Sequence, residues 1–164
     1  MKKLVFCLAV LGSIFTGCSS DNNNDAPVKQ PVSGEISSNI TANKTYAYGN
    51  YTLKGMIKVS SGVTLTFEPG CTITCDKSTG ENGLIILNGG KLIANGTADA
   101  PIVFTEKSKL GGSWAGIIMY GDAPIVNSAT APAPQTAISE DGLNLPYGGS
   151  NAAHNGGSLK YVRV

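Results

Sequence analysis

The chain has 164 residues, of which 41% are hydrophobic and 14% are charged, and its formal net charge at pH 7 is +1. Twelve basic side chains against eleven acidic ones form neither a basic surface for nucleic acid nor an acidic tail, which argues against nucleic-acid binding. The sparse charges and the 21 glycines indicate a β-rich exported protein of one domain rather than a helical cytosolic one.

The N-terminal segment has the layout of a bacterial lipoprotein signal. Two lysines give a basic start, and the 13 largely apolar residues that end at Thr16 suit a secretory signal but are too few to span a bilayer. A glycine and then Cys18 follow. We predict that residues 1–17 are removed and that acyl chains, palmitate among them, anchor the Cys18 sulfur in a membrane. The alternative is an ordinary signal peptide with a chance cysteine.

A lipidated, disordered tether is predicted for residues 18–34. The residues after Cys18 are rich in Ser, Asn and Asp, with two prolines and almost nothing to bury, so they cannot offset the entropy cost of folding. We expect this segment to hold the folded part away from the membrane surface.

From residue 35 to residue 164 the pattern changes to short apolar and β-branched runs. Each run spans three to five residues and ends at a Gly, Asn, Asp or Pro signal for a turn. Helical periodicity over three turns does not occur after the signal, so an α/β sandwich is excluded. The runs predicted as strands are Tyr51–Lys54, Met56–Val59, Val63–Phe67, Thr72–Thr74, Leu84–Leu87, Lys91–Ala94, Ile102–Thr105 and Ile117–Tyr120.

The runs recur along the chain at a nearly regular interval, which indicates a solenoid. A repeat with two or three short strands and no helix must turn corners inside each unit, as one coil of a parallel β-helix does. Asn-Gly pairs at 82–83, 88–89 and 95–96 suit such corners, because both residue types tolerate positive φ. An antiparallel sandwich uses the same turns in hairpins, but its strands need not resemble each other at a fixed period. The matched segments are 99–103 with 122–126, 55–65 with 83–93, and 92–96 with 117–121.

Alternation within the runs separates an inner face from an outer face. In Val63–Phe67 the apolar residues fall on every second position, so the threonines face outward. The run Leu84–Leu87 is apolar on both faces. We therefore expect another part of the chain to cover this run from outside.

Two cysteines, Cys71 and Cys75, remain in the predicted folded part. On one strand they share a face at a separation of roughly 13 Å, whereas a disulfide needs Cα atoms within about 7 Å. We predict two buried apolar side chains. A bridge stays an alternative that requires the chain to bend between them.

Four blocks carry a resemblance to known sequences: residues 64–73, 89–105, 114–125 and 157–164. Together they resemble a family of Bacteroidota surface lipoproteins over about residues 34–164. The resemblance implies an all-β, right-handed parallel β-helix that is lipid-anchored in the outer membrane and faces the cell exterior. It implies no particular reaction. Because members of the family are longer, it also implies that this chain lacks further coils and a C-terminal cap.

Candidate ligand-binding residues are few. Trp114 could stack on a sugar ring, although large aromatic residues more often fill the corners of a β-helix. The segment 121–157 is rich in Ala, Pro and Gly and forms a long loop, the kind of element that carries binding on a rigid scaffold. Within it Glu140, Asp141 and His154 are the candidates, against the alternative of a solvated loop.

No catalytic residue, metal-ligand set or cofactor is predicted. Asp76, Asp99 and Asp122 are carboxylates at repeat positions, and the last two could stack in neighbouring coils. Both precede Ala-Pro, however, where Asp is a turn initiator. An enzyme would instead gather two or three carboxylates with Lys or Arg on one outer face.

The sequence therefore predicts a lipid-anchored cell-surface scaffold that displays loops for adhesion or for glycan or protein binding. Its expected partners are the membrane, through acylated Cys18, and a glycan or a surface protein, with no nucleic acid. The alternatives are a polysaccharide-active enzyme and an accessory lipoprotein of an outer-membrane nutrient-uptake system.

Overall fold

The computed structural model describes residues 29–126, 132 and 135–164. Fourteen strands and one short 3-10 helix, Lys77–Thr79, occupy these residues, and all eight runs predicted as strands are confirmed. The strands are β1 (Val32–Ile36), β2 (Lys44–Tyr46), β3 (Gly49–Leu53), β4 (Met56–Val59), β5 (Thr64–Phe67), β6 (Thr72–Cys75), β7 (Gly83–Ile86), β8 (Lys91–Asn95), β9 (Ile102–Glu106), β10 (Ile117–Met119), β11 (Ala137–Ile138), β12 (Pro146–Tyr147), β13 (Gly157–Lys160) and β14 (Val162–Arg163).

Three parallel sheets enclose one interior. Sheet A has the order β1-β3-β6-β9-β14, sheet B the order β4-β7-β10, and sheet C the order β2-β5-β8-β13. Each of the first four coils contributes one strand to each sheet, except that Ile40 alone represents sheet B in the first coil, and β14 adds a fifth strand to sheet A only. Every pairing within these sheets is parallel. The predicted parallel β-helix is therefore confirmed, and the antiparallel sandwich is wrong.

Alternate residues fill the interior. In β5 the side chains of Leu65 and Phe67 are buried, while the two threonines that alternate with them face outward, as predicted. Cys71 and Cys75 occupy inner positions of the next coil, both buried and unbridged. Burial raises the pKa of the Cys75 thiol to about 11. The prediction of two buried apolar cysteines is confirmed.

The true register of sheet B is shifted by one position from the predicted repeat. The sequence match aligns Gly55 with Gly83, whereas in the structure Met56 pairs with Gly83. Side chains along a strand alternate with a period of two, so the predicted alignment would turn Ile85 inward. In the structure Leu84 and Ile86 belong to the inner core instead.

The other two matched pairs of segments do not lie in corresponding places. Segment 99–103 leads into β9 of sheet A, whereas in 122–126 Ile125 forms only an isolated antiparallel bridge outside the three sheets. Leu92 lies in sheet C, but Ile117, its predicted counterpart, lies in sheet B. The two Asp-Ala-Pro aspartates therefore do not stack in neighbouring coils. Shared turn chemistry, not coil period, makes these segments similar.

The described part of segment 121–157 lies beside sheet B and carries an antiparallel hairpin, β11 with β12. Asn88 Nδ2, just after β7, donates a hydrogen bond to the Gly148 carbonyl oxygen at 2.7 Å. Ile85 points outward from β7 and is nevertheless 0% exposed. The cover predicted for the outer face of this strand is therefore confirmed.

The first strand begins earlier than the sequence predicts. β1 starts at Val32, inside the tether predicted for residues 18–34. The predicted signal, Cys18 and the tether up to residue 28 lie outside the described residues. In the described part of the chain no helix is long and apolar enough to cross a membrane.

The two ends of the solenoid differ in chemistry. At the N-terminal end, inner positions of the first coil hold Gly34 and Lys44, whose ammonium lies 5.6 Å from the centroid of the Tyr46 ring. At the C-terminal end the inner positions hold Met119 and Leu159, which are 41% and 50% exposed. An inward-pointing charge such as Lys44 discourages another strand from pairing with an open sheet edge. The C-terminal end has apolar side chains at the two positions named and lacks this protection there.

Candidate functional site

A groove runs along one corner of the solenoid, between sheets A and B. Its first cleft, of about 440 Å³, is lined by the turn after β6 and by residues 112–115. Its second cleft, of about 360 Å³, is lined by the turn after β9 and by Val164. Trp114 and Gly112 line both clefts. The turns of successive coils thus form one groove with a single indole between its two halves.

Hydrogen bonds fix the backbone on both sides of Trp114. The Ala115 N–H donates to the Asn82 carbonyl oxygen at 2.8 Å, which ties this turn to the preceding coil. Ser113 is buried, and its N–H donates to the Leu110 carbonyl oxygen at 3.3 Å. The indole itself is half-buried and packs against the edge of the hydrophobic core. Trp114 therefore fills a corner and also presents an aromatic surface to the groove.

Asn82 holds the opposite wall of the first cleft. Its Oδ1 accepts a hydrogen bond from the Gly55 N–H at 2.6 Å, and its Nδ2 donates to the carbonyl oxygens of Asp76 at 2.9 Å and Gly80 at 2.7 Å. The corner predicted at 82–83 is confirmed, but the reason for the glycine is that a larger side chain has little room there. A Cβ at that glycine would lie 3.0 Å from the Cβ of Ala115.

Asp76 caps the turn that follows β6. Its Oδ1 accepts a hydrogen bond from the Ser78 N–H at 3.0 Å, and its Oδ2 lies 3.3 Å from the Lys107 ammonium. The hydrogen bonds from Ser78, more than the Lys107 charge, hold the pKa of Asp76 below its ordinary value. The carboxylate therefore stabilises the 3-10 turn in its ionised form.

Glu106 ends β9 at an inner position, above Cys75 of the preceding coil. It is nearly buried and accepts hydrogen bonds from the hydroxyl and the N–H of Ser108, the latter at 2.6 Å, and from the Lys77 N–H at 3.4 Å. The Ser108 hydroxyl is the main reason why the pKa of Glu106 lies below its ordinary value. This carboxylate thus satisfies backbone donors of two consecutive coils.

The corner meets part of the requirement for an enzyme, because three carboxylates, of Asp76, Glu81 and Glu106, and three lysines gather beside the groove. A general acid must hold a proton near neutral pH, which requires a raised pKa. The pKa values of Asp76 and Glu106 are both lowered, so neither carboxyl group can serve in that role. Among the described residues, no group of three or more His, Cys, Asp and Glu side chains is placed to hold a metal ion.

The other predicted ligand-binding residues lie outside this groove. Asp141 accepts hydrogen bonds from the hydroxyls of Tyr120 and Ser139, the latter at 2.7 Å. The bond from Tyr120 is the first cause of the lowered pKa of Asp141. Glu140 is exposed and His154 is half-buried in the same segment. The structure does not bring these three side chains to the indole.

Four charged residues of the groove were missed in the sequence: Lys77, Glu81, Glu106 and Lys109. Only Glu106 could have been identified from the sequence, because it lies at an inward position of β9, where the alternation predicts an apolar residue. The other three lie in turns, where spacing along the sequence does not indicate which coils meet.

Three parallel sheets that enclose one interior, with a groove at one outer corner, define a parallel β-helix protein. A family model described as a pectate-lyase-like β-helix domain matches residues 34–164. This match covers most of the chain, and the protein therefore belongs to the family of pectate-lyase-like β-helix domains. No curated protein and no solved structure matches the chain.

Proposed function

We propose that this protein is a lipid-anchored protein of the outer-membrane surface that binds a glycan in the groove at Trp114. The observation that carries the proposal is the half-buried indole that lines the cleft between the third and fourth coils, on a rigid corner. Membership of the pectate-lyase-like β-helix family supports a relation to carbohydrate.

The chemistry of the groove suits a sugar ring. An indole offers a broad apolar face, on which the C–H face of a sugar packs, and it is held here without a large loss of side-chain entropy. Lys77, Glu81 and Lys109 line the clefts beside it and supply donors and acceptors for hydroxyl groups. An apolar platform with a few polar groups around it is the usual composition of a small-molecule site.

Binding is favoured over catalysis because two of the three carboxylates at this corner are committed to turns. Asp76 and Glu106 accept backbone hydrogen bonds and have lowered pKa values. A glycosidase needs one carboxyl group that stays protonated to act on the leaving group. We therefore place the protein among glycan-binding scaffolds.

Together with the proposed anchor at Cys18, the position of the groove supports display at the cell surface. The described chain enters the solenoid at β1, in the first coil, whereas the first cleft of the groove is formed by the third and fourth coils. Coils stack about 4.8 Å apart, so the groove lies about 10–15 Å farther along the axis than the point of attachment. The resemblance to Bacteroidota surface lipoproteins supports the same outward orientation.

The anchor is tested with Cys18→Ala in the native cell. We expect loss of radiolabelled palmitate and release of the protein from the membrane fraction, because the acyl chains on this sulfur are the proposed attachment. Cys7→Ala, which changes a cysteine inside the predicted signal, is the matched control and should leave labelling intact. Labelling that survives Cys18→Ala would contradict the anchor.

Glycan binding is tested on a glycan array with soluble protein that starts at Ser19 and keeps its native C-terminus. Trp114→Ala should lower the affinity for the bound glycans at least tenfold, a loss of about 1.4 kcal/mol. Tyr161→Ala is the control, since Tyr161 is 62% exposed at a different corner, between sheets C and A. Equal affinities of the wild-type protein and Trp114→Ala would show that the groove is not the binding site.

We also propose that further β-coils cover the C-terminal end of the solenoid in the native protein. Met119 and Leu159 support this, because side chains at inner positions of a solenoid are normally sealed by the next coil. The test is the intact mass of the protein purified from its own cells. A mass well above the 16.8 kDa of this chain plus its lipid is expected, and a mass equal to the mature chain would refute the proposal.

A further inference from the structure

We infer that Asn88 is a site of spontaneous deamidation in the folded protein, and that this covalent change loosens the β11–β12 hairpin from the solenoid. The inference is independent of the proposed glycan binding. It follows from the way in which the structure holds the Asn-Gly pairs of the chain, which are the three predicted corners and Asn155-Gly156.

Deamidation of an Asn-Gly pair requires a glycine nitrogen that is free to react. This nitrogen attacks the asparagine Cγ, so that an N–Cγ bond forms, the Cγ–Nδ2 bond breaks, and ammonia leaves with the proton of the glycine N–H. Water then opens the cyclic imide at either of its carbonyl carbons, which gives aspartate or isoaspartate and adds a negative charge. Glycine favours the attack because it has no Cβ in the way. A glycine N–H that is bonded within a sheet reacts only after local opening.

Two of the pairs are held in this protected state. At Asn82-Gly83 the Gly83 N–H donates to the Gly55 carbonyl oxygen at 3.2 Å, and the Asn82 side chain is 0% exposed. At Asn95-Gly96 the Gly96 N–H donates to a carbonyl oxygen of the next coil at 2.9 Å. Both glycine nitrogens are thus part of the pairing between coils.

Asn88-Gly89 lies instead at the centre of a turn. The Gly90 N–H donates to the Leu87 carbonyl oxygen at 2.7 Å, and Gly89 has a φ of 79°, as the third residue of a type II turn does. Among the described residues, the Gly89 N–H donates no hydrogen bond. Asn88 is half-buried, and its Nδ2 bonds to Gly148. Release of this side-chain bond is therefore enough to free the Asn88 amide for reaction.

The same side-chain bond attaches the hairpin to the solenoid. Gly148 directly follows β12, and its carbonyl oxygen accepts the Asn88 Nδ2–H at 2.7 Å. Deamidation replaces this donor with a carboxylate oxygen, so that two acceptors face each other and the bond is lost. Isoaspartate also lengthens the main chain inside the turn. Because the ammonia leaves, the loosening of the hairpin runs in one direction only.

The site is tested with soluble protein that starts at Ser19 and keeps its native C-terminus. The protein is incubated at mildly alkaline pH, once folded and once in guanidinium chloride. Tandem mass spectrometry follows the gain of about 1 Da at each asparagine. The rate in denaturant divided by the rate in the folded protein gives the protection of each pair, free of the effect of neighbouring residues in the sequence.

We expect a protection of about tenfold or less at Asn88, since one side-chain hydrogen bond must open. At Asn82 it should be about a hundredfold or more, because several hydrogen bonds and the pairing of coils must open there. Equal protection of Asn88 and Asn82 would overturn the assignment of the site.

The effect on the hairpin is tested by amide exchange at residues 137–147. Asn88→Asp has the chemistry of the product and should speed up this exchange about fivefold or more, without a change in β3 to β8. Asn95→Asp makes the same change of charge at a pair that does not contact the hairpin, and it should leave the exchange as it is. Incubation should speed up hairpin exchange in the wild-type protein but not in Asn88→Gln, whose longer side chain cyclises far more slowly.

The two halves of the inference fail separately. Fast deamidation at Asn88 with unchanged hairpin exchange in Asn88→Asp would overturn the coupling to the hairpin and leave the modification site intact. Equal acceleration in Asn95→Asp would also overturn the coupling, because the added charge alone would then explain the effect.

Discussion

Ala94 allows two aromatic rings to meet across the interior. In sheet C it lies between Phe67 of the preceding coil and Leu159 of the following one. Its small side chain is fully buried. Phe104 lies in sheet A one coil after Ala94, and Phe67 lies one coil before it, so a contact between the two rings must pass the level of Ala94. The ring centroids of Phe67 and Phe104 are 5.4 Å apart and their planes meet at 89°. Such an edge-to-face pair contributes about 0.5–1.5 kcal/mol beyond the burial of the rings.

The residue-scale prediction is that Ala94→Leu destabilises the protein by about 1–3 kcal/mol, because the added carbon atoms must compete with the Phe104 ring for space. Urea denaturation should show a lower midpoint at an unchanged slope. Ile93→Leu conserves volume at the neighbouring outward position of the same strand and should leave the midpoint almost unchanged. An Ala94→Leu midpoint equal to that of the wild-type protein would show that this coil has unfilled space.

At the scale of the element, the β11–β12 hairpin is joined to the solenoid through Tyr120. The Tyr120 N–H donates to the Ile86 carbonyl oxygen at 2.9 Å, which continues the pairing of sheet B. Its buried hydroxyl bonds to Asp141 and lies 3.3 Å from the Ser139 hydroxyl. Burial is the main cause of the raised pKa of Tyr120, so its hydroxyl remains a donor throughout the neutral range. One side chain thus belongs to both elements.

Tyr120→Phe should release the hairpin while the coils stay intact. A hydrogen bond to a charged acceptor contributes about 1.5–3 kcal/mol, so amide exchange at residues 137–147 should accelerate about tenfold or more. Protection in β3 to β8 should not change. Tyr51→Phe is the matched control, since it removes a hydroxyl that bonds to the Ala47 carbonyl oxygen within the solenoid. Unchanged exchange in the hairpin of Tyr120→Phe would show that other contacts hold it.

The strands were predictable from sequence because their cause is local. Alternation in Val63–Phe67 and the doubly apolar run at Leu84–Leu87 reflect inner and outer faces that the structure reproduces. Coil length was not predictable, because turns of different size separate the strands. In sheet C, β5 pairs with β8 of the next coil, but β8 pairs with β13, which lies more than twice as far along the chain because the hairpin is inserted between them. The assumption of a fixed period therefore identified the solenoid correctly but aligned its coils incorrectly.

The site was predictable only in part, for the same reason. Trp114 was identified because an indole can stack on a sugar ring. Its neighbours Lys77 and Glu81 lie far from it in the sequence and reach it only through the stacking of coils. Asp141 was identified as a candidate ligand-binding residue of the long loop, yet its oxygens bond to Ser139 of its own segment and to Tyr120. Sequence spacing contains no information on such long-range partners.

On the scale of the whole molecule, carboxylates stabilise turns along the length of the solenoid. Glu68 accepts a hydrogen bond from the Tyr48 N–H at 3.2 Å, and Asp76, Glu106 and Asp141 each accept at least one backbone hydrogen bond. All four have lowered pKa values, each with a hydrogen-bonding side chain as the first cause. Among the described residues no buried side-chain nitrogen or oxygen lacks a hydrogen-bond partner. Ionised carboxylates are therefore part of the folded structure.

This distribution predicts acid lability. A carboxyl group with a lowered pKa in the folded state stabilises that state above its ordinary pKa, and this contribution is lost as the pH falls through the folded value. The ordinary values are 4.5 for Glu and 3.8 for Asp. The melting temperature should therefore stay nearly constant from pH 7 down to about 5 and fall steadily below about pH 4.5. A melting temperature that is flat down to pH 3 would contradict this role of the four carboxylates.

The alkaline limit has a different origin, and two variants separate it from the acid limit. Burial raises the pKa of Cys75 to about 11, so this thiol stabilises the fold at neutral pH and loses its contribution as the pH rises from its ordinary value of 9.0 through 11. Cys75→Ala should flatten the loss of stability on the alkaline side and leave the acid side unchanged. Glu106→Gln should be less stable than the wild-type protein at pH 7, and the two should converge below about pH 4 as the wild-type carboxylate takes up its proton. If Glu106→Gln instead differs from the wild-type protein by the same amount at every pH, its effect is steric and the charge of Glu106 does not stabilise the fold.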